Sequence, residues 1–297
     1  MAETRGNLVW SIGLLFLGAL SYTLNDTFTK VLIERYPMPI IIFVRGVLAL
    51  PLLVLMAVMV GGQGVRWPRS VWPHAMRGAI GLMAAALYIM GLRHLSIAEA
   101  TVLVFASPLF ITLASTFVFG EVVALRKWVA VLVSFLGVII AMRPGTDSFK
   151  PASLYILASA VLYATQSLSA RWVRPEDSFW SVSFFAAAFS ALFVSPFTIG
   201  RWQAFQASDI LLFVGAALCS SLAIGSSTLA YRSAAASDLA PFAYSGLIWS
   251  TLVTWAVWGS PPQPSTLLGA AVVACSAVLL FVLRDTPHAE GKGLRPP

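Results

Sequence analysis

The stretch "LVWSIGLLFLGALSYTLNDTFTK", residues 8 to 30, is an apolar run that ends in a group of polar side chains. A membrane-spanning helix needs about 20 mostly apolar residues to cross a hydrocarbon core of about 30 Å. Residues 8 to 31 meet that requirement, yet they include Asn25, Asp26 and Lys30. The run therefore predicts a transmembrane helix with a polar patch that has to be explained.

The composition of the whole chain agrees with a membrane protein. Of its 297 residues 59% are hydrophobic and 10% are charged, whereas soluble domains have about 45–50% apolar and about 25% charged residues. The net charge of +7 comes from Lys and Arg scattered singly among short loops, which does not favour a nucleic-acid partner. The two cysteines show no metal or disulfide pattern, so no metal and no cofactor is predicted.

Hydropathy predicts an all-α integral membrane fold with ten transmembrane helices and no soluble domain. The ten stretches are about 8 to 31, 38 to 60, 73 to 93, 97 to 119, 125 to 143, 151 to 172, 179 to 198, 209 to 231, 238 to 259 and 265 to 284. The tail, 285 to 297, is polar and rich in Gly and Pro, which predicts a disordered cytoplasmic segment.

Lys and Arg are more frequent in the loops on the side of the N-terminus. Cytoplasmic loops of membrane proteins carry this excess of positive charge. We therefore predict that both termini are cytoplasmic and that the chain is a multi-pass protein of a bacterial-type cytoplasmic (inner) membrane. The lipid bilayer is accordingly an expected partner.

The two halves of the chain resemble each other when one is slid along the other. "SYTLNDTFTK" (21 to 30) lies over "LYATQSLSAR" (162 to 171). The matched residues are Tyr22 with Tyr163, Asn25 with Gln166, Lys30 with Arg171, Arg93 with Arg232, Glu99 with Asp238 and Phe105 with Tyr244. Each half has five predicted spans, an odd number, so the second half enters the membrane from the opposite side. This pattern predicts two inverted-topology five-helix repeats, which are typical of secondary transporters.

Tyr22, Asn25 and Asp26 lie on one face of the first span, and Tyr163 with Gln166 repeats that face in the sixth. Lipid cannot satisfy such groups, so the face is predicted to line a cavity. For Asp26 the alternative is an ion pair with Lys30, four residues later.

Arg45 lies deep in the second span. Two interpretations are open: a structural pair with Asp26 that fixes helix register, or a group that points at an anionic part of a substrate.

Two pairs of opposite charges are gate candidates. Arg93 with Glu99 and Arg232 with Asp238 flank the starts of spans 4 and 9, at opposite mouths under inverted topology. The alternative is that Glu99 and Asp238 stabilise helix N-termini electrostatically.

Aromatic residues within the spans are the remaining cavity candidates: Tyr22, Tyr88, Phe105, Tyr163, Tyr244 and Trp249. They are suited to stacking on a flat or aliphatic substrate, although packing against lipid or other helices is the alternative for each. Pro108 and Pro241 are expected to bend spans 4 and 9.

Two stretches resemble the drug/metabolite transporter superfamily, specifically proteins with two EamA-type repeats. They are "GLRHLSIAEATVLVFASPLFITLASTFVFGEVVALRKWVAVLVSFLGVIIAMRPG" (91 to 145) and "DLAPFAYSGLIWSTLVTWAVWGS" (238 to 260), where the usual Gly-Glu has become Gly259-Ser260. The resemblance implies repeats at 8–143 and 151–284, and a cavity lined by spans 1 to 4 and 6 to 9. "LNDTFTK", Arg45 and "APFAYSGLIW" most resemble the branch of S-adenosylmethionine, riboflavin and opine-metallophore transporters.

We therefore expect a secondary transporter that moves a small organic metabolite, amino-acid-derived or aromatic and heterocyclic, by alternating access. Export is the leading direction, and uptake of S-adenosylmethionine or riboflavin is the alternative. Asp26 is the candidate for proton coupling or for binding a substrate amine. No GxxxxGK[ST] loop is present, so no ATPase is implied. An intramembrane enzyme is the remote alternative, because no catalytic cluster or HExxH pattern occurs.

Overall fold

A computed structural model describes residues 2–60, 64–118, 120, 125–143, 149–174, 176–233, 239, 242 and 245–282. Within these ranges the regular structure is entirely helical. The predicted disordered tail, 285 to 297, lies outside the described residues. The helices are α1 (Ala2–Ile33), α2 (Met38–Met59), α3 (Trp72–Leu92), α4 (Ile97–Val104), α5 (Ser107–Phe117), α6 (Leu125–Met142), α7 (Ser153–Leu168), α8 (Phe179–Val194), α9 (Ala207–Ser233), α10 (Ser245–Trp258) and α11 (Pro264–Val282).

Six helical stretches in the described part are long and apolar enough to cross a membrane. They are Leu8–Ile33, Met38–Met59, Trp72–Leu92, Ile97–Ala114, Phe179–Thr198 and Ala207–Ala230. Shorter apolar helices occupy Trp128–Met142, Ser153–Leu168 and Pro264–Ser276. The all-helical membrane fold is therefore confirmed, whereas the count of ten spans stays a prediction.

The predicted fourth span is two helices rather than one. α4 ends at Val104, and α5 begins at Ser107 with Pro108 in its first turn. Proline lacks an N–H and clashes with the carbonyl four residues before it, so it fits most easily in the first turn of a helix. The expected bend at Pro108 is thus a break around Phe105 and Ala106. Pro241, the other expected bend, lies outside the described residues.

Helices from the two halves of the chain pack against each other. α1 packs on α9, α3 packs on both α7 and α8, and α2 packs on α8 and α9. α6 packs on α11 at the side of the bundle away from α1 and α2. This arrangement surrounds the polar face of α1 with α2, α3 and neighbouring helices.

The contact between α6 and α11 is close because both helices present a glycine. A Cβ atom added to Gly137 would lie 2.7 Å from the carbonyl oxygen of Gly269, and a Cβ on Gly269 would in turn meet the carbonyl oxygen of Gly137. The hydroxyl groups of Ser134 and Ser276 hydrogen-bond across the same contact. Small residues allow membrane helices to approach in this way.

Two ends of the bundle can be recognised from the loops. The Tyr36 end contains residues 34–37, 93–96, 149–152 and 199–206; there the backbone N–H of Gln206 donates to the Tyr36 hydroxyl at 3.4 Å. The His74 end contains residues 64–71, 169–174 and 176–178, and there His74 Nε2 lies 3.3 Å from a carboxylate oxygen of Asp177.

Candidate functional site

Asp26 is held between α1 and α3. Its carboxylate accepts a hydrogen bond from the hydroxyl of Tyr88 at 2.7 Å and another from the side-chain amide of Asn25 at 3.0 Å. Hydrogen bonds to a charged acceptor are among the strongest in proteins. Two neighbouring side chains therefore position the carboxylate. This agrees with the expectation that lipid cannot satisfy the polar face of the first span.

Arg45 reaches the same place from α2. Its guanidinium donates to Asn25 Oδ1 and to Thr29 Oγ1, both at 3.4 Å. The first of the two interpretations of Arg45, a direct ion pair with Asp26, does not form: the ion pairs within the described ranges are Arg35 with Asp209, His74 with Asp177 and Lys150 with Glu99. Instead the Asn25 amide lies between the carboxylate and the guanidinium. We call Asn25, Asp26, Arg45 and Tyr88 the Asp26 cluster.

Lys30 does not pair with Asp26 either. Its ammonium donates to the carbonyl oxygen of Leu92 at 2.7 Å and to that of Leu95, and it lies 5.9 Å from the ring centre of Trp258. The last carbonyls of a helix have no partner within it and carry partial negative charge. Lys30 therefore binds carbonyl oxygens at the end of α3 rather than the carboxylate one turn away. The alternative interpretation of Asp26, an ion pair with Lys30, is wrong.

Two tyrosines extend the cluster. The rings of Tyr88 and Tyr163 meet edge to face, with centroids 6.5 Å apart, so α7 contributes to the same surface. Tyr22, one turn before Asp26, is 47% exposed. Tyr88 and Tyr163 therefore lie beside Asp26, and the cavity that the three tyrosines are expected to line stays a prediction.

The other cavity candidates lie apart from the cluster. Gln166 turns toward the His74 end, where its side-chain amide N–H donates to the backbone carbonyl oxygen of Arg77 at 3.5 Å. The backbone carbonyl oxygen of Gln166 accepts from the Arg77 guanidinium at 2.7 Å. Phe105 lies in the break between α4 and α5. Trp249 lies on α10, and its buried indole N–H has no partner among the described residues. Tyr244 lies outside them.

The first gate candidate does not form as predicted. Arg93 donates to the carbonyl oxygen of Ile33 at 3.2 Å. Glu99 accepts from the backbone N–H of Ser96 at 2.7 Å, while the Ser96 hydroxyl accepts from the N–H of Glu99. This capping box begins α4, and Glu99 also pairs with Lys150 at 2.9 Å. The alternative, a carboxylate that stabilises a helix N-terminus, describes Glu99 correctly.

The second gate candidate cannot be placed. Asp238 lies outside the described residues, and the side chain of Arg232, near the end of α9, does as well.

One polar network was not predicted from the sequence. Asp209, 1% exposed at the start of α9, pairs with Arg35 and accepts a hydrogen bond from the Tyr36 hydroxyl at 2.7 Å. Burial, together with that hydrogen bond, raises the pKa of Tyr36. Nothing in the sequence links positions so far apart, although a carboxylate in the first turn of an apolar helix is a signal worth noting.

An open pocket of about 610 Å³ lies at the Tyr36 end. Arg35, Arg93 and Arg201 contribute to its lining. None of the Asp26 cluster lines it. The pocket and the cluster are therefore separate features.

Residues 9–143 match the EamA-like transporter family. Three similar proteins have been given functions. An S-adenosylmethionine uptake transporter of Rickettsia bellii is 25% identical over 95% of this chain and 96% of its own length. A riboflavin transporter of Vibrio cholerae is 29% identical over 73% of this chain and 74% of its own length. A pseudopaline exporter of Pseudomonas aeruginosa is 24% identical over 88% of this chain and 93% of its own length.

One solved crystal structure superposes with a TM-score of 0.63 and 19% identity, over 92% of this chain and 96% of that one. At this identity the likeness concerns the fold alone. Together with the apolar helices and the relatives named as metabolite transporters, this match confirms the resemblance found in the sequence: residues 9–143 are similar to the EamA-like transporter family.

Proposed function

We propose that this protein is a secondary transporter for a small organic metabolite, amino-acid-derived or aromatic and heterocyclic, across a bacterial-type cytoplasmic membrane. The observation that carries the proposal is the Asp26 cluster. It places a carboxylate and a guanidinium within membrane-spanning helices, where ionisable groups are expensive and mark substrate or ion pathways. α1, α2 and α3 each supply part of it, which is typical of a site built inside a helix bundle.

The packing of the helices supports alternating access. If α7 to α11 repeat α1 to α6, with α4 and α5 as one span, then the contact of α1 with α9 corresponds to that of α7 with α3. In the same way the contact of α3 with α8 corresponds to that of α9 with α2, and α6 with α11 corresponds to itself. Each of these contacts between the halves therefore has a counterpart in which the two halves change places. Such symmetry is expected of inverted repeats that rock around a shared site.

Export is the first direction that we propose, and the pseudopaline exporter is a relative that works in this direction by name. Uptake is the second, and the Rickettsia S-adenosylmethionine uptake transporter favours it. Under this proposal both termini are cytoplasmic, as the distribution of Lys and Arg indicates.

The test is solute flux into liposomes that contain the purified protein. The panel is S-adenosylmethionine, riboflavin, aromatic amino acids and an amino-acid-derived metallophore, each measured with and without a pH gradient. We expect saturable flux of at least one compound. Absence of flux for the whole panel, with correctly folded protein, would remove the proposed substrate classes.

Asp26→Asn tests the role of the carboxylate as the proton-coupling group. The substitution is nearly isosteric and keeps a hydrogen-bond acceptor for Tyr88, so the fold should survive. We expect flux driven by a pH gradient to be lost, whereas Glu176→Gln, which removes an exposed charge at the His74 end, should leave flux unchanged. Wild-type flux in Asp26→Asn would refute the coupling role.

A further inference from the structure

Opposite charges in the Asp26 cluster are held apart by an amide. The Asn25 side chain donates to Asp26 at 3.0 Å and accepts from Arg45 at 3.4 Å. A direct ion pair would neutralise both charges by contact. Here the amide separates them by its own width, with its donor toward the anion and its acceptor toward the cation.

Both charged groups retain unused hydrogen-bonding capacity. A guanidinium has five N–H donors, but Arg45 makes two bonds among the described residues, both at 3.4 Å and both to neutral oxygens. A carboxylate offers about four acceptor positions, and Asp26 accepts from Asn25 and Tyr88. Both side chains are only partly buried. Since exposed charges in a membrane protein face protein cavities or water rather than lipid, a ligand can reach them.

A ligand that matches this arrangement carries an ammonium and a carboxylate on the same carbon atom. Its ammonium donates to Asp26. Its carboxylate accepts from the planar fork of Arg45, which suits carboxylates. The edge-to-face rings of Tyr88 and Tyr163 offer an apolar surface beside these groups.

We infer that the Asp26 cluster recognises the zwitterionic α-amino-acid group of the transported solute, with Asp26 binding the ammonium and Arg45 the carboxylate. This inference rests on the proposed function and narrows its substrate class. Asn25 is a positioning residue in this arrangement, because its amide hydrogen-bonds to both Asp26 and Arg45 and holds the two charged groups apart.

The test compares matched ligands that differ by one charge. L-Phenylalanine is compared with phenethylamine, which lacks the carboxylate, and with 3-phenylpropionate, which lacks the ammonium. S-Adenosylmethionine is compared with its decarboxylated form. Binding is measured by the thermal protection of the purified protein and by competition with the flux of any panel compound that moves. We expect at least one zwitterion to bind, and its one-charge analogues to bind at least ten-fold more weakly.

Two variants separate recognition from mere stability. Arg45→Gln removes the group that binds the carboxylate, so phenethylamine and decarboxylated S-adenosylmethionine should no longer bind more weakly for lacking one. The ratio of their affinity to the affinity of the matching zwitterion should rise at least ten-fold. Arg45→Lys keeps the charge and should retain the preference of the wild type. Arg69→Gln, at an exposed position of the His74 end, is the matched control and should leave every ratio unchanged. A structural role of Arg45 would lower all affinities together.

The inference and the proposed function fail in different ways. Saturable riboflavin flux that no zwitterion affects would overturn the inference and leave transport intact. Equal binding of a zwitterion and its one-charge analogues would also overturn it. Absence of both flux and binding across the panel would overturn the two together.

Discussion

Replacement of Gly137 by alanine should loosen the contact between α6 and α11. The new Cβ would lie 2.7 Å from the carbonyl oxygen of Gly269 and 2.8 Å from Val273 Cγ2. Ordinary contacts of a Cβ atom begin at 3.4 Å, so the helices have to separate by about 0.7 Å, the difference between that distance and the shortest one. The obstructing oxygen belongs to the backbone, and no change of rotamer can move it.

The expected cost is that of overpacking, about 1–3 kcal/mol. Alanine also recovers about 1 kcal/mol of helix propensity relative to glycine. Gly13→Ala is the matched control, because no atom lies within 4 Å of a Cβ at that position. It gains the propensity without the overlap. The difference in the free energy of unfolding between the two variants therefore isolates the overlap, at about 1–3 kcal/mol.

The assay is thermal unfolding of both variants in detergent, followed by intrinsic fluorescence. Gly137→Ala should melt several degrees below Gly13→Ala, since about 1 kcal/mol shifts Tm by about 2–4 °C in larger domains. The KM of any transported solute should not change, because α6 and α11 contribute nothing to the Asp26 cluster. Equal melting temperatures for the two variants would refute the close approach of these helices.

Two further substitutions test individual contacts. Tyr88→Phe removes the hydroxyl that donates to Asp26 but keeps the ring, and a hydrogen bond to a charged group contributes about 1.5–3 kcal/mol to stability. Tyr88→Phe should therefore melt at a lower temperature than the wild type, whereas Tyr155→Phe, at a position that is 40% exposed, should not; an unchanged melting temperature in Tyr88→Phe would contradict the role of the hydroxyl. Glu99→Gln should keep the hydrogen bond to the Ser96 N–H, whereas Glu99→Ala loses it at a cost of about 0.5–1.5 kcal/mol. Glu99→Ala should therefore melt at the lower temperature, and equal melting temperatures would contradict the capping role.

The positions of the helices could be predicted well because hydrophobic length is a property of the sequence alone. The first predicted span, 8 to 31, corresponds to Leu8–Ile33, and the second, 38 to 60, corresponds to Met38–Met59. Each follows from the thickness of the hydrocarbon layer and the rise of a helix. The break near Pro108 could likewise be anticipated from local chemistry.

The partners of the polar side chains could not be predicted in this way. Spacing along one helix offered Lys30 to Asp26, yet Lys30 binds carbonyl groups at the end of α3. Spacing gives neighbours within a helix, but it does not say which carbonyl ends of other helices lie within reach. The pair of Arg35 with Asp209 joins positions that no local pattern connects.

The sequence by itself determined that the chain is helical, that it belongs in a membrane, and that the first span carries ionisable groups which lipid cannot satisfy. Those conclusions depend on composition and periodicity, and each residue contributes to them independently of its distant neighbours. Only the tertiary structure decided that Asn25 separates Asp26 from Arg45, and that Tyr88 donates to the carboxylate. Hydrogen bonds act over about 3 Å, so their pattern is fixed only when α1, α2 and α3 have packed together.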